Sequence, residues 1–263
     1  MSHGDLRRWS RRRLLAASGV AALGGLAGCI GAPEFDGTGE GATGETTDSP
    51  LGGHPAAEGI ANQPRLGPPP TEAEGVVVAF EDPSCPRCAA FETDTVPKLR
   101  EQAGDRVSFV LRSYPVVYPW GEPATQAVEA AFARETESVE TGTMDDDPNS
   151  APEEAPDGYR QGSEATWALV RHYFEEQSQF DDDNVFERTR TFLAEETDLD
   201  AEAVVDDAEA KEYDDAVQAD LSAGEAADVG RTTPTIFLFR GGEFRTSAKG
   251  SISFQVIEAA LEL

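Results

Sequence analysis

The sequence predicts an α/β fold in two halves, β-α-β and β-β-α, with a helical insertion between them. Three observations carry this reading. An apolar run, Val76-Val77-Val78-Ala79-Phe80, is followed by a helical stretch and a second apolar run ending at Arg112. A segment from about 115 to 228 has apolar residues at helical spacing. The chain then closes with Ile236 to Phe239, a Gly241-Gly242 turn, a short return strand and an amphipathic segment ending at Leu261.

Each element has its own local cause. Val76 to Phe80 has the unbroken apolar character of a buried strand. A helix from Pro86 runs towards Gln102, with Phe91 and Leu99 as apolar positions, a kink predicted at Pro97 and a stop at Gly104. Arg106 to Arg112 is the second strand, and Tyr114-Pro115 opens an irregular aromatic connection through Trp120. In the insertion, Pro123 to Glu135 is a helix, and 136–162 is acidic, Pro-rich and expected as a surface loop. Ser163 can cap a helix with Trp167, Val170 and Phe174 on one face. Val185, Phe186, Thr189, Phe192 and Leu193 define the next, Asp200 caps a short one, and Tyr213, Val217 and Leu221 mark another that ends near Gly224. Phe244-Arg245-Thr246 is the return strand, Ile252 to Leu261 is the last helix, and no internal repeat occurs.

The first 74 residues read differently. Arg7, Arg8, Arg11, Arg12 and Arg13 form a basic start, and Leu14 to Gly28 is apolar or small apart from Ser18. That is short of the about 20 residues a membrane-spanning helix needs and suits a signal peptide. Ser10-Arg11-Arg12-Arg13-Leu14-Leu15 resembles a twin-arginine export signal. Leu26-Ala27-Gly28-Cys29 resembles a lipobox, in which Cys29 becomes the lipidated first residue of the mature protein. Residues 1–28 are therefore expected as the signal, and 29–74, almost devoid of large apolar side chains, as a lipid-anchored flexible tether. Residues 75–263 remain as the folded domain, held by the lipid at the extracytoplasmic face of the membrane.

Charge narrows the partners. The chain carries 50 Asp and Glu against 21 Lys and Arg, a formal net charge of −29. Only Lys98, Lys211 and Lys249 are lysines. Carboxylates at this density repel one another in dilute buffer and are screened at molar salt, where the Debye length is about 3 Å. A halophilic protein is expected, a merely acidic secreted protein being the alternative. Nucleic acid is excluded as a partner.

With Cys29 assigned to lipid, Cys85 and Cys88 are the only thiols left. Two cysteines three positions apart at a strand-to-helix junction can form a small, reversible disulfide. The helix start favours an anion on Cys85, Pro86 is preset for the first helical position, and Arg87 adds a fixed positive charge. These features are expected to lower the Cys85 pKa, which stabilises the dithiol and makes the disulfide a better oxidant. Cys88, one turn on and more buried, suits a resolving thiol. A zinc half-site would need two further ligands, and only His54 and His172 remain once His3 leaves with the signal; neither a metal nor a cofactor is expected. His172, on a helix with Trp167 and Phe174, reads as a packing or surface residue. A structural disulfide closing so short a loop would contribute only about 2 kcal/mol.

Thr232-Thr233-Pro234-Thr235 lies about 150 residues downstream. Pro234 restricts Thr233 to an extended conformation. An X-Pro bond at such a turn can be cis, which would leave the backbone of Thr233 open to a peptide substrate.

The nonapeptide from Phe80 to Cys88, with Phe91 and Val96-Pro97-Lys98-Leu99, resembles the active-site region of the DsbA-like thioredoxin-fold thiol–disulfide oxidoreductases. Tyr213 to Ala227 leading into Thr233-Pro234-Thr235-Ile236-Phe237 resembles that family's last helix and cis-proline strand, and Val256 to Leu261 its closing helix. The resemblance spans about 75–263, with 136–162 as an expansion. It implies a thioredoxin-like fold, Cys85 as nucleophile, Cys88 as resolving thiol, and Pro234 as a cis-proline facing the pair across a substrate groove. It further implies exported cysteine-containing proteins as substrates and a membrane redox partner. Two departures matter. Pro86-Arg87 stands where the type member has Pro-His, and Ala79 stands where family members place a carboxylate six residues before the first Cys. Glu81 and Asp82 are the nearest substitutes, although each reads as a solvated turn residue. Thr before the cis-proline also occurs in isomerases. An oxidase is expected; a reductase or isomerase of the same fold, and a non-catalytic binding or chaperone module with a structural disulfide, stand as alternatives.

Overall fold

The structure, a computed structural model, describes residues 51–141 and 164–263, without the side chains of 137–141. The signal, Cys29, the tether up to residue 50, the Ser163 cap and most of the acidic 136–162 loop lie outside the described residues.

A five-stranded sheet in the order β1-β3-β2-β4-β5 forms the centre. Its strands are β1 (Arg65–Leu66), β2 (Gly75–Glu81), β3 (Val107–Ser113), β4 (Thr235–Arg240) and β5 (Glu243–Lys249). β2 and β3 are parallel, joined through α1 (Pro86–Asp94) and α2 (Val96–Ala103), while β4 runs antiparallel to β2 and β5 to β4. Between the halves stand α3 (Gly121–Thr141), α4 (Glu164–Glu175), α5 (Val185–Glu196), α6 (Ala201–Ala210) and α7 (Asp214–Ala226); α8 (Phe254–Leu261) closes the chain. This is the expected mixed α/β, thioredoxin-like architecture with its helical insertion. No helix among the described residues is long and apolar enough to cross a membrane.

Two helix boundaries show their cause. The helix expected from Pro86 to Gln102 is broken, not kinked: α1 ends at Asp94 and α2 starts at Val96, with Pro97 in its first turn. Pro97 has no N–H for a continued helical ladder. Asp200 caps α6, its Oδ1 accepting from the Ala203 N–H at 3.1 Å.

Alternation along β2 divides the core. Val77 and Ala79 face a large cluster with Phe91, Leu99, Phe109, Trp167 and Leu169, into which α1, α2, α8 and the insertion helices α3, α4, α5 and α6 pack. Val76, Val78 and Phe80 face a second cluster with Val110, Phe237 and Phe239.

That second face corrects the expected domain boundary. Residues 51–74 are not tether. Leu51, Ala56, Ala57 and Ile60 are buried against Val76, Val78 and Phe80, and β1 pairs with β3. The His54 ring stacks on Phe244 with centroids 4.6 Å apart. Gln63 Nε2 donates to Asp220 Oδ1 at 2.9 Å, tying the segment to α7. Composition averaged over the whole tether hides a few apolar residues placed where a sheet face needs a cover. The fold begins by residue 51, and the expected start at 75 is too late.

Candidate functional site

Cys85 occupies the position just before α1, at the end of the turn that follows β2, with φ −84° and ψ 118°. Pro86 takes the first helical position and Cys88 lies on the first turn. The turn is pinned from below by Asp82, which is fully buried. Its Oδ1 accepts from the Ser84 N–H at 2.8 Å and the Ser84 hydroxyl at 2.6 Å. Its Oδ2 accepts from the Val116 and Val117 N–H groups, both at 2.7 Å, and so ties the 114–120 connection to the turn. Gln177 Nε2 donates to the Pro83 carbonyl at 2.7 Å from the insertion. At Gly121 a Cβ would stand 2.3 Å from Asp82 Oδ1, so the start of α3 approaches this closely only with glycine.

The late motif closes on the thiol. The Thr233–Pro234 peptide is cis, and the Cys85 thiol donates to the Thr233 carbonyl at 3.3 Å. Thr233 is fully buried. Its hydroxyl is buried without a partner, yet it lies close enough to favour a Cys85 anion. Cys85, Cys88, Thr233 and Pro234 are therefore brought together, as the sequence motifs led one to expect.

Both cysteines are free thiols. Cys85 retains 2 % of its surface and Cys88 none, with Cys85 the shallower. Their acidities are driven apart. The Cys85 pKa falls from 9.0 to about 5, chiefly through a hydrogen bond from Cys88, with burial opposing and Thr233 assisting. The N–H groups of Cys88 and Arg87 add to this without making a full cap hydrogen bond. Burial pushes the Cys88 thiol well up, and the hydrogen bond to Cys85 and the charge of Glu81 push it further. The expected lowering at Cys85 is present, but Arg87 contributes through its backbone. Its exposed guanidinium is not among the causes.

Below Cys88 lie two carboxyls, and here the expectation for Glu81 and Asp82 fails. Neither is a solvated turn residue: Glu81 is 1 % exposed and Asp82 is fully buried. Side chains on a strand alternate faces, so Glu81 points to the same side as Ala79, two residues nearer the turn. Its charge is felt by Cys88, and it interacts with Glu92 on α1. Burial raises the Glu81 pKa well above 4.5, and the neighbouring Glu92 raises it further. Burial also raises Glu92, against the opposing pull of Glu81, Arg171 and Arg100. The sequence reading missed Glu92, although a signal existed. It lies four residues after Cys88, on the same face of the helix. His172 is a packing residue, its ring stacked on Phe192 at 4.0 Å.

The arrangement can cycle between dithiol and disulfide, with a stabilised anion on one sulfur and a proton acceptor beside the other.

Residues 63–254 match the family described as Thioredoxin. No curated protein matches the chain. Among solved structures, BdbD from Bacillus subtilis, in oxidised form, is 19 % identical, covers 78 % of this chain and 95 % of its own, and superposes with a TM-score of 0.58. The catalytic domain of Proteus mirabilis ScsC is 18 % identical, with 80 % and 92 % covered and a TM-score of 0.52. DsbA from Chlamydia trachomatis is 17 % identical, with 76 % and 90 % covered and a TM-score of 0.52. At these identities the likeness is one of fold.

Proposed function

The chain belongs to the thioredoxin family, and on that premise we propose that it is an extracytoplasmic thiol–disulfide oxidoreductase that oxidises cysteine pairs in exported proteins. The observation that carries this reading is the asymmetry of the pair. Cys85, against the Thr233 carbonyl, has its pKa lowered to about 5, while the Cys88 thiol beside it is pushed up. One sulfur is thereby suited to attack and departure, the other to resolution.

In the oxidising direction a substrate thiolate attacks Cys85 Sγ of the Cys85–Cys88 disulfide. A substrate–Cys85 disulfide forms, and Cys88 leaves as a thiolate that takes up a proton. A second substrate thiolate then attacks the substrate sulfur of that mixed disulfide. The substrate gains its disulfide and Cys85 departs as the stabilised anion. Two electrons and two thiol protons leave the substrate, and a membrane redox partner removes the electrons by reoxidising the pair. A depressed Cys85 pKa favours the dithiol and so the oxidising direction. The basic start, the twin-arginine-like run and the lipobox ending at Cys29 support export and lipid anchoring, with residues 30–50 as the tether. The excess of carboxylates supports function at high salt.

Trapping tests the chemistry. At molar salt, Cys88→Ser should accumulate a mixed disulfide with insulin, a disulfide-bearing probe, and Cys85→Ser should not. Absence of any adduct from Cys88→Ser would leave only a binding module. Direction is read by equilibration with glutathione, where a reduction potential above the about −270 mV of thioredoxin is expected for an oxidase.

A further inference from the structure

Thr233 meets Cys85 from a loop, and a loop keeps its place only through its anchors. We infer that Lys249 and Arg231 are positioning residues that hold the Thr233–Pro234 loop against the Cys85 thiol. The inference rests on the oxidoreductase reading above and adds to it two side chains that belong to neither sequence motif.

The loop joins α7 to β4 and leaves the helical path at once. Asp228 and Gly230 have φ of 58° and 70°, in the left-handed region that a residue with a side chain adopts at a cost. Backbone bonds secure the two ends: the Val229 N–H donates to the Gly224 carbonyl at 2.9 Å, and the Gly250 N–H to the Pro234 carbonyl at 2.7 Å. Between these ends the contacts come from side chains. Thr235 Oγ1 donates to the Thr232 carbonyl at 2.6 Å. Lys249 Nζ donates to the Asp228 carbonyl at 2.7 Å and to the Val229 carbonyl at 3.2 Å. Arg231 Nη2 donates to the Val116 carbonyl at 3.0 Å.

Each cation is placed for this task. Lys249 ends β5 directly opposite Thr235. Its ammonium lies just past the last residue of α7, Ala226, where the helix dipole favours positive charge. Arg231 crosses to the 114–120 connection, and the N–H of the same Val116 donates to Asp82. A closed ring results. It runs from Asp82 to Val116, through Arg231 along the chain to Thr233, and from the Thr233 carbonyl back to Cys85. In a chain with 50 Asp and Glu, both cations bond backbone carbonyls, and charge-assisted bonds of this kind are stronger than neutral ones.

The two cations reach the thiol only through the loop. Cys85 interacts with Cys88 and the N–H groups of α1, with Thr233, and with the Glu81 carboxyl at the end of β2. Neither Lys249 nor Arg231 is among the causes of its lowered pKa. What they govern is the placement of Thr233, which favours the Cys85 anion.

The test follows the pH midpoint of Cys85 alkylation in the reduced full chain at molar salt, where distant charges are screened. Both side chains are exposed, so they can be exchanged without opening the core. Lys249→Met and Arg231→Met should each raise the midpoint by about half a unit to one unit, which slows alkylation at pH 4 by about three- to tenfold. Lys249→Arg, which keeps a cation and its donors, should recover most of the shift. Lys211→Met removes the same charge from the end of α6 and should leave the midpoint unchanged. Lys249→Met added to Thr233→Val should shift the midpoint no further than Thr233→Val alone, because the lysine acts through the threonine. Unchanged midpoints in Lys249→Met and Arg231→Met would overturn the inference. So would an equal shift in Lys211→Met, or full additivity with Thr233→Val. In all three cases a wild-type midpoint near 5 keeps the oxidoreductase reading intact, whereas a wild-type midpoint near 9 would overturn both.

Discussion

The hydroxyl of Thr233 is buried without a partner, and Thr233 is among the groups that favour the Cys85 anion. A hydrogen bond to a charged group contributes about 1.5–3 kcal/mol, and one pKa unit corresponds to about 1.4 kcal/mol. Thr233→Val should therefore raise the Cys85 pKa by about one unit and leave the unfolding temperature of the disulfide form unchanged or slightly higher. An unchanged pKa, read by thiolate absorbance, would assign the lowering to the backbone and to Cys88 alone. At this scale the sequence was most informative about residues whose chemistry is announced by spacing. Cys85-Pro86-Arg87-Cys88 and Thr233-Pro234 stand where they were expected. Glu81 and Glu92 were not legible as a pair because each belongs to a different element. Glu81 lies at the end of β2 and Glu92 lies on α1, and only the packing of one on the other makes them neighbours.

Among the elements, the segment from Leu51 to Leu66 contributes most beyond what its composition announces. Together with α7 it covers the sheet face opposite α3, α4, α5 and α6, and it supplies β1. It also reaches the buried Arg112–Asp220 pair, whose Nη1 to Oδ1 distance is 2.8 Å, since Gln63 bonds the same Asp220 oxygen. Ile60 is 4 % exposed, and truncating a buried isoleucine costs about 2–5 kcal/mol. Ile60→Ala should thus lower stability by at least 2 kcal/mol in denaturant unfolding. A loss below about 0.5 kcal/mol would mean that the segment is a loose appendage, as its composition suggests. The helices and strands themselves were legible from periodicity, caps and glycine stops. The single helix expected across Pro97 was not, because a missing N–H can either bend a helix or end it.

For the whole molecule, net charge and active-site chemistry make separate demands. A formal net charge of −29 opposes compaction in dilute buffer, and salt removes that opposition. The unfolding temperature should rise by about 10 °C or more between 0.1 and 2 M potassium chloride. At roughly 2–4 °C per kcal/mol for a domain of this size, a flat response would mean that the carboxylates are not limiting. The central claim concerns Cys85, whose folded pKa is depressed from 9.0 to about 5. Because the shift is downward in an acid, the stabilisation that Cys85 contributes to the reduced protein is fully present above pH 9 and is lost as pH falls through 5, while the raised Cys88 pKa opposes it at high pH. The most direct test is the pH dependence of Cys85 alkylation in the reduced full chain at molar salt. A rate that stays near its maximum down to pH 6, with a midpoint close to 5, is the predicted result. A midpoint near 9 would contradict it and leave Cys85 an ordinary buried thiol.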